Sequence, residues 1–177
     1  MEFSELIEKR RSVRGSYIKT ETDIEEIKSI LRAAQQAPSW KNFQETRCYA
    51  AYSQEALNAV RETLPDFNQR SSDGAILLVS TFVKDLAGFD IDKHPENEVG
   101  NMWGAYDLGL RDAYLVLAAK NAGYDSLIMG LRDAEKLRSV LNIPEDEEIM
   151  SVIAVGKAEV EGKERKRKNL EEVTRIF

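Results

Sequence analysis

The segment from about Met102 to Asn121 constrains the fold of this 177-residue chain more than any other segment. It predicts a single helix, with Gly123 placed as the residue that ends it. Apolar side chains occur on more than one face of this helix, and a helix that is apolar nearly all round is buried in the centre of a domain or between subunits. These side chains are Trp103, Tyr106, Leu108, Leu110, Tyr114, Leu115 and Ala119.

Shorter helices and strands alternate around this central helix. Spaced apolar residues predict further helices at residues 3–7, at 24–34, between Ser53 and Pro65, and after Asp133. Apolar runs predict strands at about 47–52, 75–83, 126–129 and 149–155. Thr22 and Glu25 have the spacing of a capping box, and residues 84–101 form a loop long enough to act as a lid. The pattern predicts one α+β domain over residues 1–177, with a polar C-terminal arm from about 159 to 177.

Charge and cysteine content exclude several classes of protein. The chain carries 25 Lys and Arg against 31 Asp and Glu, a net charge of −6, so we expect no nucleic-acid partner. A single cysteine, Cys48, excludes a disulfide framework and a multi-cysteine metal site, and a single histidine, His94, argues against a Ser-His-Asp hydrolase unless His94 itself serves. No apolar run approaches the roughly 20 residues that cross a bilayer, and acidic residues interrupt the start where a signal segment would lie. We therefore expect a cytoplasmic globular protein without a membrane partner.

Basic residues crowd near both ends of this acidic chain, at positions 9–14 and 163–168. The first group contains Arg10-Arg11-Ser12-Val13-Arg14, in which several guanidinium groups accompany a hydroxyl. Such a cluster suits a phosphate, which accepts bidentate, charge-assisted hydrogen bonds. The alternative interpretation is two solvated charge runs.

Two further segments present groups that a ligand could use. Residues 37–44 form a polar loop with aromatic residues, in which Ser39 and Asn42 are either binding groups or ordinary turn formers after Pro38. Met129 and Gly130 end an apolar strand, where a glycine lets a ligand approach the backbone closely. Core packing is the alternative role for the Met129 side chain.

In this order the segments resemble those of the FMN-dependent nitroreductase family, from Leu6 to the C-terminal arm. The resemblance rests on Arg10-Arg11-Ser12-Val13-Arg14, on Ala37-Pro38-Ser39 with Asn42 and Gln44, on Asp107, Gly109, Leu117-Ala118-Ala119 and Gly123, and on residues 165–173. It implies a nitroreductase-like FMN-binding α+β fold, with a mixed, mostly antiparallel sheet flanked by helices. It also implies a homodimer whose C-terminal arms are exchanged and whose two FMN molecules lie at the subunit interfaces.

The resemblance assigns roles to residues at both ends of the chain. The family's first FMN-binding segment is matched by Arg10, Arg11, Ser12 and Arg14. Within it, Arg10 and Ser12 correspond to contacts with the phosphate and ribityl chain, and Arg14 corresponds to the basic residue near the flavin N1/O2 edge. Arg165 and Arg167 match the pair that completes the phosphate site.

Other matched residues belong near the flavin rings. They are Pro38, Ser39 and Asn42 in the loop that the partner subunit contributes, Met129 and Gly130 in the segment whose backbone N–H faces flavin N5, and Asn68, which resembles an asparagine bonded to the pyrimidine end. The chain departs from the family at Gln44-Glu45-Thr46, where members often read Gln-Pro-Trp.

The function implied is an FMN-dependent oxidoreductase that uses NADH or NADPH to reduce nitroaromatic, quinone or similar acceptors, by ping-pong hydride transfer through flavin N5. Because the reactivity is that of the flavin, no catalytic side chain is expected, and no metal. The alternatives are a specialised member, flavin-fragmenting or reductively dehalogenating, and a non-catalytic flavin-binding module.

Overall fold

In the computed structural model, which describes residues 1–19 and 23–177, helices and strands alternate along the chain. The elements are α1 (Phe3–Lys9), α2 (Ile24–Ala34), β1 (Thr46–Ala51), α3 (Gln54–Arg61), α4 (Asp66–Arg70), β2 (Ile76–Val83), α5 (Met102–Asn121), β3 (Asp125–Met129), α6 (Ala134–Leu141), β4 (Glu147–Gly156) and α7 (Leu170–Val173). A short 3₁₀ turn, Trp40–Asn42, follows α2. The predicted capping residue Thr22 lies outside the described residues, and Asp23 Oδ1 accepts from the Glu25 N–H at 2.9 Å where α2 begins.

The four strands form one antiparallel sheet in the order β1-β2-β4-β3. Val79 of β2 lies opposite Val152 of β4 in the middle of the sheet. Beside β3, Ser12 forms an isolated parallel bridge with Ser126, which attaches the N-terminal segment to the sheet. The prediction of an α+β fold with a mostly antiparallel sheet flanked by helices is therefore confirmed.

Strand β2 separates two hydrophobic cores. Its side chains alternate in direction, as successive residues of a strand do. Leu77 and Val79 enter a core formed with α3 and α6, whereas Ile76 and Leu78 enter a core formed with α2 and α5. Because both faces of β2 are buried, its sequence is a continuous apolar run rather than an alternating one.

Helix α5 covers the sheet together with α2, and its predicted bounds are confirmed. Leu115 and Ala119 are fully buried against the sheet. On the opposite side Met102, Tyr106 and Tyr114 are exposed. The apolar character of α5 on more than one face is thus explained only in part by contacts within this chain.

Helix α5 packs tightly on β2 at Gly104, where an added Cβ would lie 2.3 Å from Cδ2 of the buried Phe82 ring. We expect Gly104→Ala to lower the free energy of unfolding by about 1–3 kcal/mol, because the ring cannot move aside in a packed core. Urea denaturation measures the effect. The matched control is Gly109→Ala on the same helix, where nothing lies within 4 Å of the added Cβ. If both variants lose stability equally, helix contacts with Phe82 are not the cause.

Candidate functional site

A cavity of about 970 Å³ lies between the segment that follows α1 and the C-terminal arm. Its lining residues are Ile7, Glu8, Lys9, Arg10, Arg11, Ser12, Arg14, Lys163, Glu164, Arg165 and Arg167. Seven of these side chains are cationic and two are carboxylates, in a chain whose net charge is negative. The structure therefore brings the basic residues of the two chain ends together around one space.

Backbone pairing positions the first side of this cavity. Helix α1 ends at Lys9, and the chain continues extended beside β3, where the Val13 N–H donates to Ser126 O at 3.0 Å. The Val13 side chain is buried, and the Tyr17 hydroxyl donates to Val13 O at 3.0 Å. Since side chains alternate along an extended segment, burial of Val13 turns Ser12 and Arg14 toward the cavity.

The arm positions the second side of the cavity. Its first residues run back along the N-terminal segment, where the Glu159 N–H donates to Ser16 O at 3.0 Å. At Gly162 the arm passes so close to Arg11 that an added Cβ would lie 2.4 Å from Arg11 Cβ. This contact places Arg165 and Arg167, a few residues further on, opposite Arg10.

Lys9 pairs with Glu5, but the arginines in the cavity have no carboxylate partner among the described residues. Burial lowers the pKa of Arg10, and the positive charges of Arg167 and Arg11 lower it further. No carboxylate within residues 1–19 or 23–177 forms an ion pair with Arg10, Arg14, Arg165 or Arg167. An anion that carries more than one negative charge would relieve this repulsion.

Pro38 and Ser39 line a second cavity, of about 340 Å³, between α2, β1 and α5. Asn42 is exposed at the end of the 3₁₀ turn and lines neither cavity. Within one chain these residues therefore lie apart from the basic cavity, and their predicted contribution to the partner subunit's site stays a prediction.

The remaining predicted residues meet at the far end of β3. Met129 is buried in the core, so only its backbone is available, and Gly130 follows it in an exposed position. The Asn68 side chain, on α4, donates to Leu131 O at 3.2 Å. Ser126, near the start of the same strand, pairs with Ser12, which lines the basic cavity. Strand β3 therefore runs from the basic cavity to this second group of residues, over a distance of about 13 Å.

The loop 84–101 packs on the N-terminal turn of α5. Asn97 Oδ1 accepts from the Trp103 indole N–H at 2.9 Å, and Glu96 forms an ion pair with Lys41. The Trp103 ring lies 4.7 Å from the Trp40 ring, centroid to centroid. This loop is therefore in contact with the loop that follows α2, which is consistent with a covering role.

A group of buried ionisable residues beside the second cavity was not predicted. Glu45 is 0% exposed, Asp107 4% and Arg111 7%. Asp107 Oδ2 accepts from the Trp40 backbone N–H at 2.7 Å. The departure at Gln44-Glu45-Thr46 was the one signal in the sequence, since it puts a carboxyl where the family often has proline.

Comparison with known proteins shows what this chain is similar to. The family model described as the nitroreductase family matches residues 7–157. Protein DrgA of Synechocystis sp. strain PCC 6803 is 25% identical over 189 aligned positions, which cover 96% of this chain and 90% of that protein. An Archaeoglobus fulgidus protein provisionally named an NADH dehydrogenase/NAD(P)H nitroreductase is 28% identical, over 85% of this chain and 82% of its own length.

Solved structures share the fold. A nitroreductase family protein from Streptococcus pneumoniae TIGR4 superposes with a TM-score of 0.84 at 21% identity, covering 99% of this chain and 100% of the other. A protein from Exiguobacterium sibiricum 255-15, crystallised in complex with FMN, superposes with a TM-score of 0.81 at 20% identity, covering 100% of this chain and 98% of the other.

No helix in the described parts of this chain is long and apolar enough to cross a membrane. No cluster of three His, Cys, Asp or Glu side chains suited to a metal ion is found among the residues that the structure describes.

Proposed function

This chain belongs to the nitroreductase family, whose members are oxidoreductases, and we propose that it binds FMN and transfers hydride from NADH or NADPH to a small acceptor such as a nitroaromatic or a quinone. The observation that carries this proposal is the convergence of Arg10, Arg14, Arg165 and Arg167 on one cavity. Removing a phosphate dianion from water is unfavourable unless several cations replace the lost hydration, and this cavity offers them.

The donors in the cavity fit a phosphorylated ligand. Guanidinium groups from both chain ends supply charge-assisted, bidentate contacts, and the Ser12 hydroxyl supplies a neutral one. In this proposal Arg10, Arg11, Ser12, Arg165 and Arg167 hold the phosphate end of FMN. The geometry suits an anion with several acceptor oxygens better than a single carboxylate.

The flavin rings would extend from the phosphate along β3. Asn68 and the backbone of Met129 and Gly130 lie at the end of that strand, where they can offer hydrogen bonds to the ring edge. In this proposal Arg14, which lines the basic cavity, would stabilise negative charge at the pyrimidine edge. FMN itself supplies the hydride chemistry at its N5 atom when it is bound. No general base is required of the protein, whose part is to position the ring and to tune it electrostatically.

A homodimer completes the proposal. Tyr106 and Tyr114 on α5 are 59% and 43% exposed, although they are large apolar residues of a central helix. Leu170, Val173 and Ile176 of the arm are exposed as well. Exposed apolar surface on this scale is typical of an interface. In such a dimer, Pro38, Ser39 and Asn42 of one protomer would face the FMN that the other protomer holds.

Anaerobic mixing of the FMN-loaded protein with NADPH or NADH tests the proposal. We expect a yellow protein whose flavin absorbance falls on mixing and recovers when a nitroaromatic or a quinone is added. A purified protein that stays colourless and refuses added FMN would defeat the proposal. Bound flavin that stays oxidised with both nicotinamides would instead support the non-catalytic flavin-binding module.

A further inference from the structure

The loop that follows α2 is held in a strained conformation. Lys41, Asn42 and Gln44 have φ values of 48°, 59° and 51°, in the left-handed region that residues with a side chain rarely adopt. Such conformations persist only where surrounding contacts impose them. Ser39 Oγ accepts from the Gln44 N–H at 3.0 Å inside the loop, and Asp107 of α5 accepts from the Trp40 N–H at 2.7 Å. Asp107 therefore tethers the loop to α5, in addition to the Lys41–Glu96 ion pair.

Glu45, at the end of this loop, has a carboxyl group that needs a proton. The side chain is fully buried, and neither of its oxygens receives a hydrogen bond from a donor in the described part of the chain. The Asp107 carboxyl lies within hydrogen-bonding reach of it. Two ionised carboxylates only accept hydrogen bonds, so they cannot bond to one another. One proton between them resolves this, with Glu45 donating to Asp107.

The surrounding charges agree with a protonated Glu45. Burial is the main cause that raises the pKa of Glu45 to about 7, and the nearby Asp107 raises it further. The backbone N–H of Glu45, which is the second-largest cause, and the Arg47 guanidinium, which is the smallest, lower the pKa, but burial outweighs both. Arg111 lines the same cavity as Asp107 but lies beside Asp112, at 3.6 Å. Arg111 is not among the charges that shift the pKa of Glu45, so it does not take the place of the proton.

We propose that Glu45 and Asp107 form a proton-sharing carboxyl pair that positions the 39–44 loop, and with it Ser39 and Asn42. With the proton in place, Asp107 carries the only charge of the pair and holds the Trp40 N–H. When the proton is lost, two buried negative charges repel each other and the loop tether weakens. That the positioned loop serves an FMN site rests on the proposed function, whereas the carboxyl pair itself does not.

Tryptophan fluorescence tests the pair without any cofactor. The chain has two tryptophans, Trp40 in the loop and Trp103 beside it, so the emission reports on this loop. We expect a step in emission centred near the pKa of about 7 when the wild-type protein is titrated. Glu45→Gln, which mimics the protonated side chain, should abolish the step. His94→Gln is the matched control, since it removes the chain's one histidine, an exposed residue, and should leave the step in place.

A second variant keeps the test decisive if Glu45→Gln fails to fold. Asp107→Asn retains an acceptor for the Trp40 N–H but removes the second carboxyl, so it should move the step to lower pH. A wild-type protein without a step, or a step that both variants leave unchanged, overturns the proposal.

FMN affinity separates the positioning role from a purely structural one. If only the protonated pair presents the loop correctly, the Kd for FMN should rise about tenfold at one pH unit above the pKa, because about a tenth of the molecules are then competent. The Kd of Glu45→Gln should stay level over the same range. A fluorescence step with an FMN affinity that does not change with pH overturns the positioning role. A step in a protein that binds no FMN at any pH leaves the carboxyl pair supported and defeats the proposed function instead.

The pair also affects stability, with a defined sign. The pKa of Glu45 in the folded protein lies above its ordinary value of 4.5. The folded state therefore binds this proton more tightly than the unfolded state, and the free energy of unfolding should fall as the pH rises from about 4.5 to about 7. Urea denaturation at several pH values measures this slope, which should be smaller in Glu45→Gln. An equal slope in both proteins contradicts the pair.

Discussion

Replacement of both Arg165 and Arg167 by alanine is expected to weaken FMN binding at least about 100-fold. Both side chains line the basic cavity and neither forms an ion pair within the described residues, so their charge is available to the phosphate. Each hydrogen bond to a charged group contributes about 1.5–3 kcal/mol, and two such losses exceed the roughly 2.7 kcal/mol that a 100-fold change represents. Titration of FMN fluorescence with the protein measures the effect.

The arm itself offers the control. Lys166→Ala with Lys168→Ala removes the same charge from the same segment, but neither lysine lines the cavity. We expect this pair to weaken FMN binding only slightly, through the change in overall charge. If both double variants lose affinity equally, binding depends on diffuse charge rather than on the cavity. Full affinity in Arg165→Ala with Arg167→Ala would show that the phosphate binds elsewhere.

Introducing charge on the exposed face of α5 should separate the proposed dimer. In Tyr106→Asp with Tyr114→Asp, two carboxylates per protomer would have to be buried without partners, which is strongly unfavourable. We expect the dissociation constant of the dimer to rise by more than about 100-fold, and sedimentation velocity at micromolar concentration to show a monomer. Since the proposed flavin site needs the partner's loop, retention of FMN should fall with it.

Ile91→Asp provides the comparison, because Ile91 is 96% exposed in the loop 84–101 and has few neighbours to lose. This variant should sediment as the wild-type protein does. A wild-type chain that sediments as a monomer contradicts the dimer directly. A tyrosine double variant that remains dimeric shows that the exposed face of α5 is not the interface.

Most of the fold could be predicted from local patterns, and the exceptions have physical reasons. The apolar run of β2 is a strong signal because burial on both faces leaves little choice of residue type, and α5 is one because its helical pattern continues over 20 residues. Pro65 was predicted to end a helix, and α3 does end before it, but the short helix α4 begins directly after it. Five residues carry no periodic pattern, so α4 and the buried position of Asn68 could not be predicted.

The candidate site also has a part that could be predicted from the sequence and a part that could not. The basic ends of the chain stand out against an acidic composition, and their convergence follows from the family resemblance and is found in the structure. The carboxyl pair is different, because an isolated glutamate or aspartate in a sequence is normally exposed. Only the packing of the loop against α5 buries Glu45 and Asp107 together. The roles of Pro38, Ser39 and Asn42 stay predictions, since they depend on a second protomer.

The basic cavity makes binding depend on two distant parts of the sequence. One wall comes from residues 10–14 and the other from residues 163–167, so about 150 residues separate them. A chain terminated anywhere between the two walls would keep the first wall and lack the second. Under the proposed function, flavin retention would therefore distinguish molecules that carry both walls from truncated ones.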